Sequence, residues 1–141
     1  MIRKLILAAA ALVCAATMWA GTPVSPSEIP SPVKKFISAH YASEKIRKAE
    51  KDYDHGRYEY EIDFVSGAEI EIAADGSWIE MKAAYGAAVP AKAVPAAVSA
   101  YVSKNFSGSQ IVELKKKRYG YKVELSNGTE LKLSNDGTPV R

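Results

Sequence analysis

Tyr58, Tyr60, Ile62 and Phe64 place an apolar side chain at every second position, and Glu59, Glu61 and Asp63 fill the gaps. Such alternation predicts a strand with one packed face and one polar face, because successive side chains point to opposite sides. After Ser66-Gly67 the alternation resumes in Ile70 and Ile72, with Glu69 and Glu71 between the turn and the apolar positions. Sixty-one positions later the pattern returns as Tyr119, Tyr121, Val123 and Leu125, an Asn127-Gly128 turn, then Leu131 and Leu133. Asn-Gly between alternating runs is a strong hairpin signal. Asp75-Gly76 and Asp136-Gly137 mark a second turn in each copy, ahead of short last strands at Trp78–Met81 and Thr138–Arg141. The gapless match of Tyr58–Gly76 with Tyr119–Gly137 reads as a tandem duplication.

Upstream of each hairpin the apolar period lengthens to three and four. Val33, Phe36, Ile37 and Tyr41 form one helical stripe, with Ser31 predicted as N-cap and Pro32 as the first helical residue. Val98, Tyr101, Val102 and Phe106 form the other, opened by Pro95 and closed by Gly108. Strands at Lys45–Tyr53 and Gln110–Arg118 link each helix to its hairpin. The expected fold class is α+β, with each unit of the duplication a helix packed on a four-stranded antiparallel sheet. Tyr58, Tyr60, Tyr119 and Tyr121 should line the helix-covered face, leaving the opposite face to water. The expected organisation is a signal peptide (1–20), a flexible lead-in (21–31), a first unit (32–82), a linker (83–89) and a second unit (90–141). The two units should form one compact domain.

The amino terminus adds a destination. Arg3 and Lys4 precede an apolar run from Leu5 to about Ala16, and Ala20 stands just before Gly21. This is the form of a cleaved secretory signal, too short to span a bilayer comfortably. The one cysteine, Cys14, lies inside it, preceded by Val13 and Ala11 where a lipoprotein signal has other residues. An exported chain without cysteine after cleavage has no disulfide, thiol nucleophile or thiolate metal site, which suits a bacterial periplasm or cell envelope. Beyond residue 20 there are 17 Lys and Arg against 16 Asp and Glu, so nucleic acid is not an expected partner, and no membrane contact beyond the export signal is expected.

The proline-opened helix "IPSPVKKFISAHY", the hairpin "YEYEIDFVSGAEIEIAADGSW" and its echo "YGYKVELSNGTELKLSNDG" together resemble the PepSY-like family of exported bacterial proteins. The resemblance runs from about Ile29 to Val140. It implies a fold like that of the β-lactamase inhibitor protein, a sheet surface able to grip a protein, an inhibitory or regulatory role, and calcium regulation in some relatives. It carries over no catalytic residue.

Chemistry is sparse in the residues themselves. His40 and His55 are the only histidines, and no nucleophile elbow, zinc-binding helix or phosphate loop accompanies them, so no enzyme is expected. Between Asp52 and Glu80 nine carboxylates meet a single base, Arg57. Strand alternation assigns Glu59, Glu61, Asp63, Glu69 and Glu71 to one outer face, where directly opposed like charges need an offset. The second copy carries Lys122 and Lys132 where the first has Glu61 and Glu71, so that residues 28–82 are net −4 and residues 89–141 net +5. The bland account is a pair of solvated faces that help the halves dock. The functional one is an acidic docking surface for an unidentified protein or peptide, with Trp78 as a hydrophobic anchor and Tyr53 and Tyr85 as further exposed aromatics. The alternative is a calcium- or small-ligand-responsive protein, with Asp52, Asp54 and Asp75 near loops that offer oxygen ligands, although no EF-hand spacing is present. No other cofactor is expected.

Overall fold

The computed structural model describes residues 21–141, and the expected signal peptide lies outside the described residues. Among the described residues eight strands and two α-helices follow one another. They are β1 (Thr22–Pro23), α1 (Ser31–His40), β2 (Ile46–Asp54), β3 (Arg57–Phe64), β4 (Glu69–Ala73), β5 (Trp78–Lys82), α2 (Ala96–Asn105), β6 (Ile111–Lys117), β7 (Gly120–Leu125) and β8 (Glu130–Leu133). The strands form one sheet in strict sequential order from β1 to β8, antiparallel throughout.

The expectation of two four-stranded units is corrected on both sides. Thr22 and Pro23 of the lead-in pair with Lys51 and Glu50, adding an edge strand. At the other edge the expected strand Thr138–Arg141 reduces to a single bridge between Leu133 and Pro139. On either side of that bridge the Ser134 N–H donates to the Thr138 carbonyl and the Val140 N–H to the Lys132 carbonyl. β5 and β6 also pair directly, Met81 opposite Leu114, and this joins the two halves into one continuous sheet.

Val33 of α1 and Val98 and Val102 of α2 share a single core with Ile62, Phe64, Ile70, Met81, Leu114, Val123, Leu125 and Leu133. Both helices therefore cover the same face of the sheet. Ser31 is already helical, and Pro30 holds the cap position in an extended conformation. Prolines suit this first turn because its N–H groups have no intrahelical acceptor. The local geometry recurs down to single hydrogen bonds. Gly67 donates to Phe64 and Gly128 to Leu125; Gly76 donates to Ala73 and Gly137 to Ser134. Gly76 and Gly137 have φ of 88° and 85°, and a Cβ there would stand 3.0 Å from the Pro32 carbonyl and 2.8 Å from that of Ala97. In each half a turn glycine thus lets the sheet touch the first turn of its helix.

One alternation does not hold to its end. Tyr58, expected in the core, is exposed; it meets the exposed Tyr53 edge to face at 5.1 Å. Tyr60 is buried, while Tyr119 and Tyr121 are half-buried.

Candidate functional site

The uncovered face of the sheet is a set of charged rows, read across the strands from the register. One row runs Glu50, Glu61, Glu71, Glu80, Lys115, Lys122, Lys132 from β2 to β8. The adjoining row runs Lys48, Asp63, Glu69, Lys82, Glu113, Glu124, Glu130. Residues directly opposite on neighbouring strands share a face and interact, so the first row sets four glutamates side by side and then three lysines. The seam between them is the β5–β6 pairing, where Lys115 Nζ lies 3.3 Å from Glu80. Glu50 and Glu80 belong to the acidic half as much as the five carboxylates expected from sequence.

Three of the expected docking residues do not stand at this surface. Glu59 is 1% exposed, held by Arg57 Nε at 3.3 Å and His55 Nδ1 at 3.2 Å. The hairpin turn from β2 to β3 folds these two side chains over it, so it is a buried ion-pair centre. Asp63 is 8% exposed and accepts a hydrogen bond from Arg47 Nη2 at 3.0 Å. Trp78 lies opposite Ile72, on the helix-covered side, stacked on Tyr121 with Lys116 Nζ 4.4 Å above its ring. Glu61, Glu69 and Glu71 do occupy the open face, half-buried.

Crowding shows in the acidities. Glu61 is pushed up to about 7, by partial burial first and then by the charges of Asp63, Glu69, Glu50 and Glu71. Glu71 is raised by burial and by Glu80 and Glu59. Glu113 is raised to about 7 by burial, by its hydrogen bond to Glu80 and by the charge of Glu80. Glu80 itself is held low: burial opposes this, but the hydrogen bond from Glu113 and the charges of Lys82 and Lys115 outweigh it. Of the two seam carboxyls, Glu113 is therefore the one that takes up a proton more readily and Glu80 the one that stays charged.

The calcium candidates are not assembled as expected. Asp52 and Asp54 accept hydrogen bonds from the backbone N–H groups that follow them, and Asp75 accepts one from Ser77 in its turn. Two other groupings bring ligand oxygens or nitrogens within 4.8 Å of one another: Asp54 with His55 and Glu59, and Glu61 with Asp63 and Glu69. In the second, Asp63 Oδ1 is buried and accepts no hydrogen bond. The alternating pattern held a signal for that trio, since Asp63 and Glu69 flank the same hairpin, but Arg47 as partner was not legible.

His40 packs on Phe36 at 4.7 Å and lines a cavity of about 90 Å³ with Tyr41, Ser43, Glu44 and the linker alanines. His40 Nδ1 and the Tyr41 hydroxyl are buried there without hydrogen-bond partners. Tyr85, at the tip of the linker, is fully exposed.

The family model described as "Putative beta-lactamase-inhibitor-like, PepSY-like" matches residues 17–63 and 58–140. The chain belongs to this PepSY-like family. Solved structures agree. One, described as a "putative calcium-regulated periplasmic protein" from Bacteroides thetaiotaomicron, is 28% identical with a TM-score of 0.77, over 85% of this chain and 94% of that one. A "putative periplasmic protein" from Bacteroides vulgatus is 27% identical with a TM-score of 0.80, over 88% and 97%. Another from Bacteroides vulgatus, at 24% identity and a TM-score of 0.75, shares the fold over 85% and 98%. No curated protein matches the chain. The PepSY-like family and these neighbours are described as inhibitor-like or periplasmic, and none of them as an enzyme.

Proposed function

We propose that this PepSY-like protein is an exported, non-enzymatic binding protein of the periplasm or cell envelope. It docks a protein or peptide on the uncovered sheet face and acts as an inhibitor or regulator. The observation that carries this is the row of four glutamates, Glu50, Glu61, Glu71 and Glu80, side by side on adjacent strands. Lys48 answers the buried Glu50 and Lys82 and Lys115 answer Glu80, while Glu61 and Glu71 are part-exposed with no base in ion-pairing distance among the described residues. Complementary charge on a partner would relieve that repulsion and fix register. The test is affinity capture from envelope extract with the tagged exported chain. A partner should be retained at moderate salt, and Glu61→Lys/Glu69→Lys/Glu71→Lys should reduce its retention at least about tenfold, the loss of a few charge-assisted contacts. Retention unchanged by that triple substitution would move the docking surface elsewhere.

A second reading is favoured by Asp63. Its orphaned Oδ1, beside Glu61 and Glu69, fits a hard divalent cation that takes oxygen ligands, and the Bacteroides thetaiotaomicron neighbour is described as calcium-regulated. Under this reading calcium, not a protein, offsets the acidic half. Millimolar calcium should then raise the melting temperature, by about 2–3 kcal/mol of stabilisation at a hundredfold excess over Kd. Magnesium should do so less, and Asp63→Asn should erase the effect. An unchanged melting curve with calcium would end this reading.

A further inference from the structure

We propose that the charged face also docks onto a second copy of the chain, face to face about a two-fold axis parallel to the strands at the β5–β6 seam. This rests on the reading of that face as a docking surface and names one occupant for it. The argument is the order of charges along the row. Rotation about such an axis exchanges strands on either side of the seam, so β5 lies over β6 of the partner, β4 over β7 and β3 over β8. The row then pairs Glu80 with Lys115 of the partner subunit, Glu71 with Lys122 of the partner subunit and Glu61 with Lys132 of the partner subunit. Two-fold symmetry repeats each pair, as an isologous interface requires. A two-fold axis across the strands would instead set each strand on its own copy, glutamate on glutamate.

Glu80 and Lys115 are already paired with each other within the chain, so the new partners matter most on the outer strands. Glu61 and Glu71 form no ion pair with a base among the described residues, and both are raised in pKa, by partial burial first and then by neighbouring carboxylates. Lys132 likewise has no carboxylate within ion-pairing distance among the described residues, and Lys122 has only Glu130 at 3.5 Å. In the adjoining row Lys82 meets the partner's Glu113, which is favourable. Glu69 and Asp63 meet the partner's Glu124 and Glu130, which is not; Arg47 and Lys82 stand beside them. The balance is attraction between charges still partly open to solvent, so the dimer should be salt-dependent. Such a dimer would cover the face until a better-matched partner displaced the second copy.

Sedimentation velocity on the exported chain tests this, with Glu61→Lys/Glu71→Lys and Lys122→Glu/Lys132→Glu as reversed variants checked for folding by circular dichroism. The wild type should dimerise at low salt, with Kd rising roughly tenfold or more at high salt. Each variant alone should be monomeric, and an equimolar mixture of the two should form a heterodimer, because every reversed pair is complementary again. If either variant fails to fold, the salt series on the wild type still decides. A wild type monomeric at low salt, a dimer indifferent to salt, or variants that dimerise alone would overturn the proposal. So would a mixture of folded variants that stays monomeric. None of these outcomes bears on a foreign partner, which capture from extract decides separately.

Discussion

Phe64→Ala should destabilise the protein by about 3–5 kcal/mol, the range for deleting a buried aromatic ring from a packed core. Phe64 is fully buried near the end of β3, and Tyr41 stacks on it with ring centroids 4.8 Å apart and planes 9° from parallel. Tyr41 caps α1, so the pair is where the first helix is fastened to the sheet. Removing the ring leaves a cavity beneath that helix end and frees a tyrosine whose hydroxyl already has no partner. Denaturant unfolding should show the loss as a lower midpoint with little change in slope. Phe64→Leu, which fills more of the volume, should recover most of it. A loss below about 1 kcal/mol for the alanine variant would mean that the helix end is not held here.

Stability should fall as pH rises from about 4.5 to 7, contrary to the common acid lability of proteins. The folded pKa values of Glu61 and Glu113 are raised to about 7, above the ordinary 4.5 that each takes in the unfolded chain. Between those limits the folded state holds more protons than the unfolded one, so adding base favours unfolding. Below 4.5 both states are protonated and this contribution is fully present; above about 7 it is gone. Glu71 adds to the same trend, while Glu80, Asp75 and Asp136, all held low, act in the opposite sense at more acidic pH. Both raised groups are still partly open to solvent, so salt should flatten the slope. Melting temperatures measured from pH 5 to pH 8 at two salt concentrations would show it. Glu61→Gln/Glu113→Gln should be the more stable protein at pH 8 and nearly flat across the window. A wild type whose melting temperature rises over that range would contradict the assignment.

The same glutamates show why the site was only half legible. Alternation in "YEYEIDF" assigns Glu59, Glu61 and Asp63 to one face, and it is right about the face. It cannot say that Arg57 and His55 fold over Glu59, or that Arg47 reaches Asp63, because those are side-chain placements across a turn and across strands. Trp78 fails for a different reason. Counting by twos back from Glu80 puts it on the charged face, but a register shift between Glu71 and Ile72 slips it opposite Ile72, where it packs partly buried against the core. A β-bulge inserts one residue and so reverses the side on which the next side chain emerges.

Local chemistry by itself determined the elements of this protein: helices from a period near 3.6, strands from a period of 2, and turns where Asn-Gly and Asp-Gly allow positive φ. It determined too that the first half is acidic and the second basic. Only the tertiary structure decided that β5 pairs with β6, bringing Lys82 beside Glu113 and Glu80 beside Lys115 across the whole of α2 and its loops. That contact is long-range, and its formation depends on both helices burying their stripes in one core on the same side of the sheet. Sequence periodicity reports which way a side chain points relative to its neighbours in the chain. Which strand it will face is decided by the packing that offsets the entropy of closing the loop between them.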